Sequence, residues 1–177
     1  MRISKYIKLL EKHDACIEAI TWSKQFKTPQ EAWEACERPD WMAWLIAEFN
    51  PSEPYSDERK PLVSLCIKFV RTVWEQLPGE SKDAIKVFER WVNGEDISRE
   101  DLSTASRAAA NAATCAAATA AAAAYASYAA TCAAATADAA ACAAACAAYA
   151  ARATKGSARI TKIIRKDYPN IYEIIGK

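Results

Sequence analysis

The sequence predicts an all-α protein, and three observations carry that prediction. From Ala105 to Ala153, 32 of 49 residues are alanine and no Gly or Pro interrupts them. Alanine has the highest helix propensity because ordering it costs no side-chain entropy. Ahead of that run, helix start and stop signals recur at short intervals, among them Thr28-Pro29-Gln30-Glu31, Pro39-Asp40, Leu77-Pro78-Gly79 and Gly94. No segment alternates apolar and polar residues over the length of a strand. At 177 residues the chain is long enough for one domain with a real core. The expected architecture is a single-domain helical bundle: residues 1–98 give short Trp-bearing helices, 99–155 an Ala-rich helix or helical hairpin on which they pack, and 157–177 a C-terminal helix and tail.

Residues 3–13 have Ile3, Tyr6, Ile7 and Leu10 on one helical face and Lys5, Lys8 and Lys12 away from it. Asp14 is the expected cap of a second helix, with Cys16, Ile17, Ile20 and Trp22 inward, and His13 is a helix-end residue. Thr28 as cap, Pro29 at the first helical position and Glu31 at the third start a third helix. It must stop before Pro39, because the residue ahead of proline is pushed out of helical geometry. Asp40 then caps a fourth helix from Trp41 to about Phe49. Residues 50–61, with three prolines, read as a surface loop. The next helix covers 61–76, with Leu62, Leu65, Cys66, Phe69, Val70 and Val73 inward. Ser81 caps another that carries Ile85, Phe88 and Trp91 inward and stops at Gly94. Ser157 opens the last, bearing Ile160, Ile163 and Ile164, and the tail from Ile171 to Ile175 packs after it.

Within the Ala-rich run, Ser98 with Asp101 three residues on is a variant capping box, and Gly156 is the stop. From Tyr125 onward the larger apolar side chains fall on one seam, so one face packs. Unbroken, residues 99–155 would span about 85 Å, against a radius of gyration of about 16 Å for a chain of this size. A fold-back between Thr119 and Asp138 is therefore expected. Residues 108–137 carry no charge, but alanine contributes little insertion energy and Asn111 with several Thr and Ser opposes a membrane span.

Residues 1–102 hold 15 basic and 19 acidic side chains, whereas 157–177 hold five basic and two acidic. This modest polarity argues against a nucleic-acid partner. The seven cysteines are odd in number and four sit in the Ala-rich run as small apolar packing units, which suits a reduced, cytoplasmic protein. Cys142 and Cys146 lie one helical turn apart, yet the only His is His13 and no CxxC pair exists, so neither a metal site nor a cofactor is expected. One His, no nucleophile elbow and no carboxylate pair in an apolar setting argue against an enzyme.

The densest stretch is Ala32-Trp33-Glu34-Ala35-Cys36-Glu37-Arg38-Pro39-Asp40-Trp41-Met42-Ala43-Trp44-Leu45. Two readings of it stand. Trp33, Trp41 and Trp44 can be the core of two short helices, with Asp40 a cap and Arg38 its charge partner. Alternatively, Trp33, Glu34, Arg38, Asp40 and Trp41 form an aromatic, charged surface of the kind that anchors a protein partner.

The run Ala32-Trp33-Glu34-Ala35-Cys36 with Asp40-Trp41-Met42 and Trp44-Leu45, the later Glu89-Arg90-Trp91 before Gly94-Glu95, the Ala-rich helix, and the terminal Ile164-Arg165-Lys166-Asp167-Tyr168-Pro169 resemble the immunity proteins found in bacterial genomes and in phages. The resemblance spans nearly the whole chain, and its Trp-rich motif is the specific part. It implies a small cytosolic binder that neutralises a toxin or defence effector by stoichiometric contact, without catalysis. An acidic N-terminal portion suits a toxin with a basic face. Two alternatives remain open: a sponge that clamps a small anionic nucleotide between Trp, Tyr and Arg, although no glycine-rich phosphate loop is present, and a homodimer paired through the Ala-rich helices.

Overall fold

The computed structural model describes residues 1–50, 52–72, 74–115 and 157–176, and it is all-α. Nine α-helices occur among the described residues: α1 (Ile3–Lys12), α2 (Ile17–Ser23), α3 (Pro29–Ala35), α4 (Pro39–Glu48), α5 (Lys60–Arg71), α6 (Gly79–Val92), α7 (Arg99–Cys115), α8 (Ser157–Asp167) and α9 (Ile171–Ile175). Two single 3-10 turns, Asp57–Arg59 and Trp74–Gln76, precede α5 and α6. The fold-back of the Ala-rich run, its Tyr and Cys seam, the Cys142–Cys146 pair, the Gly156 stop and the homodimer contact all lie outside the described residues.

The caps show which local signals decide the ends. Thr28 Oγ1 accepts the Glu31 backbone N–H at 3.2 Å, and the Glu31 carboxylate reaches back to the Lys27 N–H at 2.9 Å. Ser98 Oγ accepts the Asp101 N–H at 3.1 Å at the start of α7. At the end of α6, Gly94 has φ +92°, its N–H bonds Trp91 O, and the Glu95 N–H bonds Arg90 O, a Schellman closure.

Several expectations are corrected. Asp14 ends α1 rather than starting α2. With φ 55° it takes the left-handed position of a second Schellman closure, in which the Asp14 N–H bonds Glu11 O and the Ala15 N–H bonds Leu10 O. Cys16 is the N-cap of α2, and Cys16 and Ile17 face outward, Ile17 with 67% exposure. Asp40 is not a cap: Pro39 is already the first residue of α4, and Asp40 lies in its first turn. Ser81 likewise falls inside α6, two residues after its start, with a buried hydroxyl that finds no partner among the described residues. The 50–61 segment is not wholly surface, since Arg59 is 1% exposed and donates to the Ser52 carbonyl.

The core is one cluster running from Tyr6 to Ile174. At its centre α5 buries Leu62, Val63, Leu65, Cys66, Ile67, Phe69 and Val70, more than one stripe's worth, because α6 and α8 both pack on it. Helix α4 is covered in the same way, burying Met42, Ala43, Leu45, Ile46 and Ala47, and α8 lies against it with Ile160 and Ile164. Leu102, Ala105 and Ala109 seat α7 along α6. Of the Trp-bearing helices, α6 with Trp91 packs on α7 at the start of the Ala-rich run, whereas α4 is met by α8 and α3 by α9.

Ile164 is 0% exposed between α4 and α5. Truncation to alanine removes both its transfer free energy and its packing. Ile164→Ala should lower unfolding stability by about 2–5 kcal/mol in a urea titration; a loss below about 1 kcal/mol would place Ile164 outside the core.

Candidate functional site

Helices α1 to α4 enclose a cavity of about 550 Å³, open to solvent and mostly apolar. Its size falls within the roughly 300–1,000 Å³ of ordinary ligand pockets. Tyr6 and Leu10 come from α1, Trp22 and Ala19 from α2, Ala32 and Trp33 from α3, and Trp41, Trp44 and Leu45 from α4. Asp14, Cys16 and Glu18, all exposed, stand at the mouth, where the closed end of α1 turns into α2.

Each wall is fixed by identifiable contacts. At one end, His13 Nδ1 meets Glu48 Oε1 at 2.9 Å and the His13 ring lies 4.5 Å from that of Phe49, tying the end of α1 to the end of α4. The back wall is held by the C-terminal segment. Trp33 Nε1–H donates to the Tyr168 carbonyl at 2.9 Å, and Arg165 donates to the carbonyls of Cys36 and Trp33. Gln30 closes the seam with both ends of its amide, donating to the Pro169 carbonyl at 3.1 Å and accepting the Ile171 N–H at 3.0 Å. The Cys36, Tyr168 and Pro169 carbonyls lie just past α3 and α8, where a helix leaves its carbonyls without intrahelical partners, and that of Trp33 lies in the last turn of α3.

At the lip, Arg38 grips Asp40 with two bonds, Nε to Oδ1 at 3.0 Å and Nη2 to Oδ2 at 2.6 Å. The Arg38 guanidinium also lies 4.3 Å from the centroid of the Trp41 ring. Donating to the Asp40 carboxylate raises the Arg38 pKa above its ordinary value. Trp41 in turn meets Trp22 at 5.8 Å, and Trp22 meets Phe26 at 4.6 Å, so the aromatic wall is continuous.

Of the five sequence-derived contact residues, four line the cavity: Trp33, Arg38, Asp40 and Trp41. Trp33, 3% exposed and bonded to Tyr168, belongs to the floor rather than to a free surface. Glu34 lies outside the lining, exposed and bonded to Gln30 Nε2 at 2.8 Å. Trp33 is core, while Trp41 and Trp44 are half-buried at the cavity. The lining residues from Tyr6 to Ser23 are not announced by the motif. Tyr6, Leu10, Cys16 and Trp22 carry a sequence signal, an inward position on one of the first two helices, whereas nothing points to Glu18, and Asp14 reads only as a cap.

Among the described residues no three His, Cys, Asp or Glu side chains are grouped to hold a metal ion, and no helix is long and apolar enough to cross a membrane. Compared with protein families, with curated proteins and with solved structures, the chain matches none.

Burial pushes the Cys36 thiol, in the cavity wall, up to about 11, and that of Cys66, within α5, up to about 12. Because the folded-state values are raised, their contribution to stability is present in full below the unfolded thiol range of about 8.5–9. It is lost as pH rises through about 11 and 12. The melting temperature should therefore fall from pH 9 upward in the wild type, and fall less in Cys36→Ala/Cys66→Ala relative to that variant's own value at pH 7. Identical slopes would contradict the assignment.

Proposed function

We propose that this chain is a non-enzymatic binding protein that neutralises a protein toxin or defence effector by stoichiometric contact through the Trp-lined cavity. The observation that carries this reading is the composition of the cavity wall. Trp22, Trp41 and Trp44, half-buried around an open apolar space, are the residue type and setting of interface hot spots. Exposed Ile17 beside the mouth adds apolar surface to the same face.

Two further points support binding over catalysis. The thiol in the cavity wall, Cys36, is held protonated at neutral pH by its raised pKa, the opposite of an activated nucleophile. The Arg38 guanidinium, the one in the lining among the described residues, is already engaged by Asp40. That engagement also weakens the nucleotide-sponge alternative, which needs a cation ready for a phosphate. The resemblance to immunity proteins agrees with this reading, as does the acidic balance of residues 1–102.

The test is an affinity capture from host lysate with native mass spectrometry, followed by the same capture with Trp41→Ala. A single protein retained at one-to-one stoichiometry is expected, with affinity reduced about 30-fold or more in the variant, as for a hot spot of 2 kcal/mol. Retention of a nucleotide with no protein, or a partner held equally well by Trp41→Ala, would overturn the proposal.

A further inference from the structure

We infer that the cavity's occupant is an arginine side chain of the protein partner, flanked by apolar residues; this rests on the partner-binding reading above. The argument is one of charge and shape. Among the described residues, four charged side chains line the cavity: Asp14, Glu18, Arg38 and Asp40. Arg38 and Asp40 cancel one another in a two-bond pair. Asp14 and Glu18 have no ion-pair partner among the described residues, so the lining carries a net charge of −2. An anionic ligand entering here would be repelled at the mouth, whereas a cation is drawn in.

The walls narrow the cation further. The same space is lined by Trp22, Trp41 and Trp44, a residue type whose ring face attracts a cation through the quadrupole and whose apolar surface covers an apolar stem. A guanidinium meets both demands: it is flat enough to lie on an indole and presents a fork of donors to carboxylates. The chain itself supplies the precedent, since the Arg38 guanidinium lies over one of these rings, Trp41, while bonding a carboxylate. The volume, about 550 Å³, leaves room beyond one side chain, and Ile17 stands exposed beside Cys16 and Glu18 for an apolar neighbour.

Three capped tripeptides, Leu-Arg-Leu, Leu-citrulline-Leu and Leu-Glu-Leu, are titrated into the full chain by tryptophan fluorescence. The arginine peptide should bind at least about tenfold more tightly than its neutral citrulline isostere, a difference of about 1.4 kcal/mol, and the glutamate peptide should not bind measurably. Asp14→Asn with Glu18→Gln should remove that preference while leaving thermal melting unchanged, because asparagine tolerates the left-handed backbone at 14. Equal affinity for the arginine and citrulline peptides, an unchanged preference in the double variant, or no binding of the arginine peptide would each overturn the inference. If the chain still captures a protein from lysate in those cases, the partner-binding reading survives without it. Selective arginine-peptide binding by a chain that captures no protein would instead keep the cavity's specificity and remove the toxin-neutralising role.

Discussion

The floor of the cavity is held where the end of α3 is clamped by the C-terminal segment that follows from α8. The end of α3, residues 33–36, presents carbonyls and an indole N–H that need partners, and residues 165–171, from the last turn of α8 into α9, supply them. Trp33 and Tyr168, 135 positions apart in sequence, satisfy each other, while Arg165 and Gln30 complete the seam. Buried polar groups left unpaired cost about 1–3 kcal/mol each, so this seam cannot open one bond at a time without penalty. It sets the floor of the cavity at Trp33, beside the aromatic wall in which Trp41 meets Trp22 at 5.8 Å.

Charge placement follows from the same geometry. Pro39 starts α4, so Asp40 falls in the first turn, where the helix dipole favours a carboxylate, and Arg38 just ahead of it can close on both oxygens. Across the mouth, the end of α1 needs a residue in the left-handed conformation, and Asp14 supplies it. A residue chosen by backbone geometry thereby also brings a carboxylate to the cavity entrance.

What the sequence makes legible is what local interactions decide. Thr28-Pro29, Gly94 and the Ser98-Asp101 pair act within a few residues of themselves, and each terminus lies where those residues put it. The apolar stripes of α5, α6 and α8 are equally readable, since period and burial agree. Asp14 shows the limit: the same residue type can open a helix or close one, and the choice rests on whether Ala15 can bond back to Leu10. Trp33 and Trp41 show another. Only the docking of the C-terminal segment, far off in the chain, makes the first a floor and leaves the second half-open. The net charge of the cavity is likewise invisible along the sequence, because its four contributors come from the turn after α1, from α2, and from the N-cap and first turn of α4.

The claim on which this account turns is that Trp22, Trp41 and Trp44 form one binding wall while the remaining tryptophans are structural. The indole N–H resonances of the six tryptophans in a ¹H–¹⁵N correlation spectrum read it directly. On titration with the arginine tripeptide, Trp22, Trp41 and Trp44 should move together, and Trp33, Trp74 and Trp91 should stay in place. Movement centred on Trp74 or Trp91, or no movement at the three wall residues, would contradict it.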